Sequence, residues 1–296
     1  MIEAIPQLVL NGLALGSTYA LAALGFVLVI NAVGAVNFAH GELVMLGGFV
    51  AVGLATTLPD GGAVSGLIVL PGVMTVMAGV GLVLALLGYA PLRRAPPVSV
   101  FISTIAIGLI IQHAVTIGVG PEPRVGPPLI GTGATEVFGV VIARQQIATI
   151  VVAGLLLAAV QVLLKHTRFG RRLRAAAQDP VMARAVGIPV ALTTAASFAM
   201  AGALAGAAGL LLSHQYFVTP TDGGVLMLKA YIATVIGGWG RVWGAALGAI
   251  AIAIFETVVA ATVSYLMAET LLYLGVLVLL MLRPQGLLGE TEGRRA

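Results

Sequence analysis

From Gln7 to Asn31 the chain carries no Asp, Glu, Lys or Arg, and stretches of the same kind recur almost to its end. A mainly apolar run of about 20 residues is long enough to cross the hydrocarbon core of a bilayer as a helix. That recurrence constrains the fold more than any motif. An average soluble domain has roughly a quarter of its residues charged. Here the charged share is 9% and the hydrophobic share 59%, with a mean hydropathy of +1.09. Such a chain cannot cover a globule with polar surface and has to face lipid. The 39 glycines suit this setting, because small residues let membrane helices approach closely.

The spans read as about 7–31, 38–58, 66–90, 98–118, 147–164 and 190–212. Two or three more lie within about 225–282, broken at GGWGRVWG and near Ser264. The expected fold class is an all-α polytopic membrane protein of 8–9 transmembrane helices with no soluble domain, the whole of 1–296 forming one transmembrane domain. Lys and Arg in the short loops set the orientation. Arg93 and Arg94 follow the third span. Lys165, Arg168, Arg171, Arg172, Arg174 and Arg184 crowd a loop of about 165–189, and Arg283, Arg294 and Arg295 follow the last span. Nine crossings with the N-terminus outside put all of these in the cytoplasm and leave about 119–145 and 213–224 external. Arg124 and Arg144 oppose the rule, accompanied by Glu122 and Glu136. The linker at 31–37 has no positive charge, so the first two segments also read as a broken or re-entrant pair, which lowers the count to eight. The opening MIEAIPQLVL has Glu3 but no Lys or Arg, unlike a secretory signal, and reads as mature protein.

Several function classes drop out. Without cysteine there is no disulfide framework and no thiolate metal site. Asp60, Asp179 and Asp222 all fall in loops, the four histidines are scattered, and no Ser-His-Asp order or metal-ligand cluster stands out. Neither lysine, Lys165 or Lys229, sits in a Gly-Lys-Ser/Thr context. There is thus no nucleotide-binding P-loop, and any ATP used is hydrolysed by another subunit. A net charge of +4 makes no case for nucleic acid.

The basic loop, KHTRFGRRLRAAAQDPVMARAVGIPV, parses by capping rules. Asp179 is a good N-cap and Pro180 suits the first helical position. PVMARAV then forms a short helix that Gly187 ends, and RRLRAAAQ before it is also helix-prone. Val181 and Ala185, four apart, share a face. Two short helices between spans make a shape that a partner protein can grip. The plainer reading is that the charges only anchor topology.

This loop also resembles something known. TRFGRRLRAAAQDPVMARAVGI is similar to the cytoplasmic loop in the permease subunits of branched-chain amino acid ABC importers. NGLALGSTYALAALGFVLVINAVGAVNFAHGELVMLGGF resembles the first half of those subunits. PTDGGVLMLKAYIATVIGGWGRVWGAALGA and the closing RPQGLLG resemble the second half, in order, and the subunit type is the H-type permease. The sequence departs from the family at Trp239 and Arg241, and at Trp243, where proline is frequent. The resemblance implies a permease working by alternating access, with no bond chemistry and no cofactor in this chain. It implies a second homologous permease, or in its place a copy of this chain, with two cytoplasmic ATPase subunits and an extracytoplasmic solute-binding protein, at a prokaryotic cytoplasmic (inner) membrane. It makes Arg174, Ala177, Asp179, Pro180, Val181, Met182, Arg184 and Gly187 the candidates for ATPase coupling. The solute is expected to be a branched-chain or other hydrophobic amino acid. Permeases for urea and short amides share the pattern. Two rivals of other classes remain: a stand-alone secondary transporter, which gives the capped loop no role, and a membrane-embedded enzyme, which needs more convergent polar residues than the chain has.

VNFAHGELVML, Val36 to Leu46, sets Asn37, His40 and Glu42 in one of the most apolar parts of the chain. An unpaired charge at bilayer depth is expensive, so Glu42 has to face a protein-lined cavity or be protonated. On a regular helix Asn37 and His40 share a face and Glu42 points away. One reading is structural: Gly34 breaks the chain, Asn37 caps the next helix, and His40 and Glu42 satisfy backbone donors or bridge to a neighbour. The other is functional: a broken helix presents its end to a solute, and Glu42 holds the amino group of a zwitterion. A metal site from one His and one Glu is poorly supported. Glu256, in AIAIFETVVA, pairs with a polar neighbour, faces a subunit interface or lines the path. Asn37, His40, Glu42 and Glu256 are therefore the substrate-path candidates. Glu269 is expected at the membrane interface, Lys229 to snorkel to water, and His113, beside Gln112, to bond across helices.

Overall fold

The structure is a computed structural model that describes residues 5–58, 65–93, 95–131, 133–137, 140–283 and 286. Glu3, Asp60, Arg94, Arg294, Arg295 and most of RPQGLLG lie outside the described residues. Among the described residues eleven α-helices follow one another: α1 Ile5–Val33, α2 His40–Thr57, α3 Gly66–Leu84, α4 Pro97–Val119, α5 Arg144–His166, α6 Arg168–Gln178, α7 Pro180–Ala185, α8 Val190–Tyr216, α9 Asp222–Gly237, α10 Val242–Thr262 and α11 Tyr265–Leu282. A π-helical turn at Ala85–Tyr89 and a 3-10 turn at Ala90–Leu92 prolong α3. Among the described residues eight helices are long and apolar enough to cross a membrane, so the chain is a polytopic membrane protein. α9, at 16 residues, is shorter than those eight.

α1 is the axis of the bundle. Its apolar stretch is 94% buried, against 17% for α11 and 22% for α4 and α5. A helix apolar all round and enclosed by others is a core helix, whereas the outer three leave apolar faces for lipid. α2, α5, α8, α9 and α10 pack around α1. Small residues set the spacing: a methyl group on Gly209 of α8 would overlap Val44 O of α2, and one on Gly202 would overlap Met77 O of α3. Backbones in contact at this distance are how membrane helices gain packing without a hydrophobic drive.

The ends of the bundle differ. At one, the segment after α4 is pinned to the segment after α8: Arg124 N donates to Val218 O at 3.0 Å and Val218 N returns a bond to Arg124 O at 2.9 Å. Gln146 Nε2 reaches Asn11 Oδ1 of α1 at 2.6 Å, and Ser65 Oγ donates to Leu129 O. This segment also holds a short antiparallel hairpin, β1 Ala134–Val137 with β2 Val140–Ala143, Ala134 opposite Ala143. Its strands, ATEV and VVIA, carry no apolar–polar alternation that would announce them. α8 runs on to Tyr216, so the loop expected at 213–224 shrinks to the residues between Tyr216 and Asp222. At the other end lie α6, α7 and the α9–α10 turn, where Asn31 Nδ2 donates to Gly240 O at 2.9 Å.

Candidate functional site

Three side chains from three helices meet beside the axis. Lys229 of α9 places Nζ 2.6 Å from Glu256 Oε1 of α10 and donates to the Tyr19 hydroxyl of α1 at 2.9 Å. The Tyr19 hydroxyl in turn donates to Glu256 Oε2 at 3.4 Å, closing a ring. Lys229 Nζ also lies 5.1 Å from the centre of the Tyr19 ring. Lys229 and Glu256 are each 3% exposed. A buried ion pair holds only where geometry is good and further hydrogen bonds satisfy both charges, and here Tyr19 serves both. Glu256 is thus the member of the candidate set that pairs with a polar neighbour. The snorkelling expected of Lys229 is overturned, because its partner lies inside the bundle and not at the surface. Glu269 of α11 brings a second carboxylate to 3.9 Å from Lys229.

A cleft of about 430 Å³ opens above this ring, on the side of the pinned loops. Leu8, Leu15, Leu212 and Val225 give it apolar walls, and Asp222 and Glu269 stand at its polar side. Asp222 is engaged by its own loop, accepting from Thr219 N at 2.7 Å and from Thr219 Oγ1 at 2.6 Å.

Asn37, His40 and Glu42 do not converge. Gly34, at φ +67°, ends α1 in the left-handed conformation glycine tolerates. Asn37 Oδ1 accepts from Ala39 N at 3.1 Å, just ahead of α2, so it stabilises the entry turn. Ala39, the residue in the cap position, makes no side-chain bond. His40 Nε2 lies 2.8 Å from Ala22 O of α1. Phe38 N donates to Thr104 Oγ1 at 3.1 Å, about two turns into α4. Ala22 is about three turns short of the end of α1. α2 therefore starts alongside the middle of its neighbours, and the link runs from Gly34, exposed near the end of the bundle, to Asn37 and Ala39, which are buried at depth. Irregular backbone survives there because protein encloses it. Glu42 turns the other way, into a recess of about 150 Å³ between α2, α4 and α9. Its carboxylate occupies the space a Cβ on Gly223 would need. Asn37 Nδ2, His40 Nδ1 and Glu42 Oε2 are buried with no hydrogen-bond partner among the described residues. His113 bonds to Leu109 O within α4 at 2.8 Å, not across helices as expected.

The basic loop folds as its caps dictate. Asp179 Oδ1 accepts from Val181 N at 2.8 Å and Met182 N at 2.9 Å, with Pro180 in the first turn of α7. Gly187, at φ +81°, takes the chain out of the helix. Ala183 packs inward, while Val181 and Met182 are 64% and 63% exposed and Arg184 is exposed. Arg174 turns back to donate to Leu164 O at 2.6 Å, closing the α5–α6 elbow. Ala177 lines a second cavity, of about 500 Å³, beneath α6.

Tyr19 escaped the sequence reading, and Lys229 entered it only as a snorkelling side chain. The signal was present: one Lys and one Glu in separate apolar helices, each prohibitive alone, are expected to find each other.

A helical bundle with charges sequestered beneath a cleft at one end and a capped basic loop at the other is a membrane permease. Residues 8–282 match the family described as branched-chain amino acid transport system / permease component, and the chain belongs to that family. It is 30% identical over 295 residues to the high-affinity branched-chain amino acid transport system permease protein LivH of Escherichia coli K12, covering 97% of this chain and 96% of that protein. It is 32% identical over 299 residues to the corresponding BraD of Pseudomonas aeruginosa, with the same coverage. A probable LivH of the archaeon Methanocaldococcus jannaschii is 30% identical over 253 residues, covering 81% of this chain and 76% of that protein. No solved structure gives a significant match.

Proposed function

We propose that this chain is the permease subunit of an ATP-driven importer for branched-chain or other hydrophobic amino acids in a prokaryotic cytoplasmic membrane. Two cytoplasmic ATPase subunits drive it, a second homologous permease completes the pathway, and an extracytoplasmic binding protein delivers the solute. The chain itself uses no cofactor. The observation that carries the reading is α7: a capped helix that leaves Val181, Met182 and Arg184 facing solvent at the basic end of the bundle. Apolar side chains on a short rigid element are what a partner's groove takes up. ATP-driven closure of the ATPases moves α7, and the α5–α6 elbow passes the displacement to the long helices as a rigid-body shift. The basic end is cytoplasmic and the pinned loops are external.

The test is purification of the tagged chain from native membranes, followed by uptake of labelled leucine in vesicles. Recovery of two ATPases and a second permease, with uptake dependent on ATP, is the expected result. Recovery of the chain alone in several mild detergents, with uptake insensitive to ATP, would overturn it in favour of a self-contained transporter. Arg184→Glu is expected to leave insertion intact while uncoupling ATP hydrolysis from transport.

A further inference from the structure

Resting on the importer reading, we infer that the cleft above Lys229 and Glu256 is a binding site for the zwitterionic head group of an amino acid with an aliphatic side chain. The charged residues lining the cleft are Lys229, Glu256, Glu269 and Asp222. Lys229 and Glu256 neutralise each other at 2.6 Å, and Asp222 is occupied by Thr219. Glu269 is the carboxylate with capacity to spare. Its polar contacts are long, 3.5 Å to the Tyr265 hydroxyl and 3.9 Å to Lys229, and its side chain is 25% exposed.

A zwitterion fits an existing ion pair by lying antiparallel to it. The ligand carboxylate takes a place beside Lys229 and the Tyr19 hydroxyl, and the ligand ammonium lies between Glu256 and Glu269. Every charge then has an opposite neighbour, and none is left buried alone, the condition under which charges at this depth are tolerated. The surplus carboxylate, Glu269, gives the ammonium end the stronger hold. Leu8, Leu15, Leu212 and Val225 receive an aliphatic side chain. A volume of about 430 Å³ falls in the usual range for small-molecule sites, roughly 300–1,000 Å³. A neutral amide such as urea carries neither charge and satisfies neither end. The recess at Glu42 has a carboxylate but no cation among its lining residues, so it cannot hold both ends of a zwitterion.

The experiment uses the assembled complex in nanodiscs without the binding protein, probed with a leucine analogue carrying a diazirine on its side chain. Light-dependent labelling is expected on Leu212 or Val225, displaced by leucine and not by urea. Glu269→Gln is expected to lower labelling about tenfold, as loss of one charge-assisted contact does. Leu212→Trp, which fills the cleft, is expected to abolish it. Labelling confined to residues around Glu42, or unaffected by both variants, overturns the inference. ATP-driven uptake is measured in parallel. If it is absent from the native complex the importer reading falls, while labelling in the cleft that leucine displaces still supports the site.

Discussion

Lys229 and Glu256 lie at the floor of the cleft, each only 3% exposed, whereas at the opposite end α7 turns Val181 and Met182 to solvent, each more than half exposed. One region hides charge and the other displays apolar surface, the reverse of the usual arrangement in both cases. The regions also differ in how they are held. α7 is fixed by contacts within a few residues: Asp179 bonds Val181 and Met182, and Gly187 closes the turn. The Lys229 ring is fixed by residues far apart in sequence, on α1, α9 and α10. A locally built element can move as a unit without unfolding what carries it. A ring tying three helices together moves only if they move jointly. The difference assigns α7 to receiving force and the ring to keeping α1, α9 and α10 in register.

The comparison breaks most readily at the ring. Lys229→Met leaves Glu256 buried without a counter-charge and is expected to destabilise the bundle by about 3–5 kcal/mol, read as thermal unfolding in nanodiscs. Lys229→Met with Glu256→Gln should recover most of that loss, and equal destabilisation in the single and double variants would show the two groups to be uncoupled. Next in size is Gly223→Ala, which pushes a methyl into the Glu42 carboxylate and should cost about 1–3 kcal/mol. Adding Glu42→Ala should restore stability, and failure to do so would place the strain in backbone contacts. The smallest effect belongs to the other end. Asp179→Ala removes a cap worth about 0.5–2 kcal/mol, and the loss should stay within α7. Amide exchange in Val181–Ala185 should quicken while the unfolding temperature of the bundle holds. A matching fall in global stability would show that α7 belongs to the core.

What was legible in the sequence follows the same division. Span existence and ends came through well, because apolar length and flanking charge are local signals: 98–118 became Pro97–Val119 and 147–164 became Arg144–His166. The cap at Asp179 and the stop at Gly187 were legible for the same reason. The break at Gly34 was readable, but the depth at which α2 starts was not, since it depends on contacts with Ala22 and Thr104. The partner of Glu256 was hidden behind a stem long enough to suggest snorkelling. Choosing between water and Glu256 for Lys229 needs to know which face of α9 meets α10, and a helix apolar on every side carries no such mark. The hairpin after α4 is not legible because neither of its strands, ATEV and VVIA, alternates apolar and polar residues.

The shortness of α9 bears on how the protein is made. At 16 residues and 1.5 Å per residue it reaches about 24 Å, less than the roughly 30 Å of hydrocarbon it faces, and it carries a lysine. Such a segment is a poor candidate for independent membrane insertion. Its neutralising partner, Glu256, is synthesised only afterwards, on α10. α9 is therefore expected to wait at the translocon and enter together with α10 as a helical pair. A chain stopped at Arg241 should leave α9 accessible to soluble labelling reagents, whereas one extended through Thr262 should protect it. Because α1 is made early and the charge-matched pair late, the entry of α9 and α10 would be the step that completes the enclosure of α1.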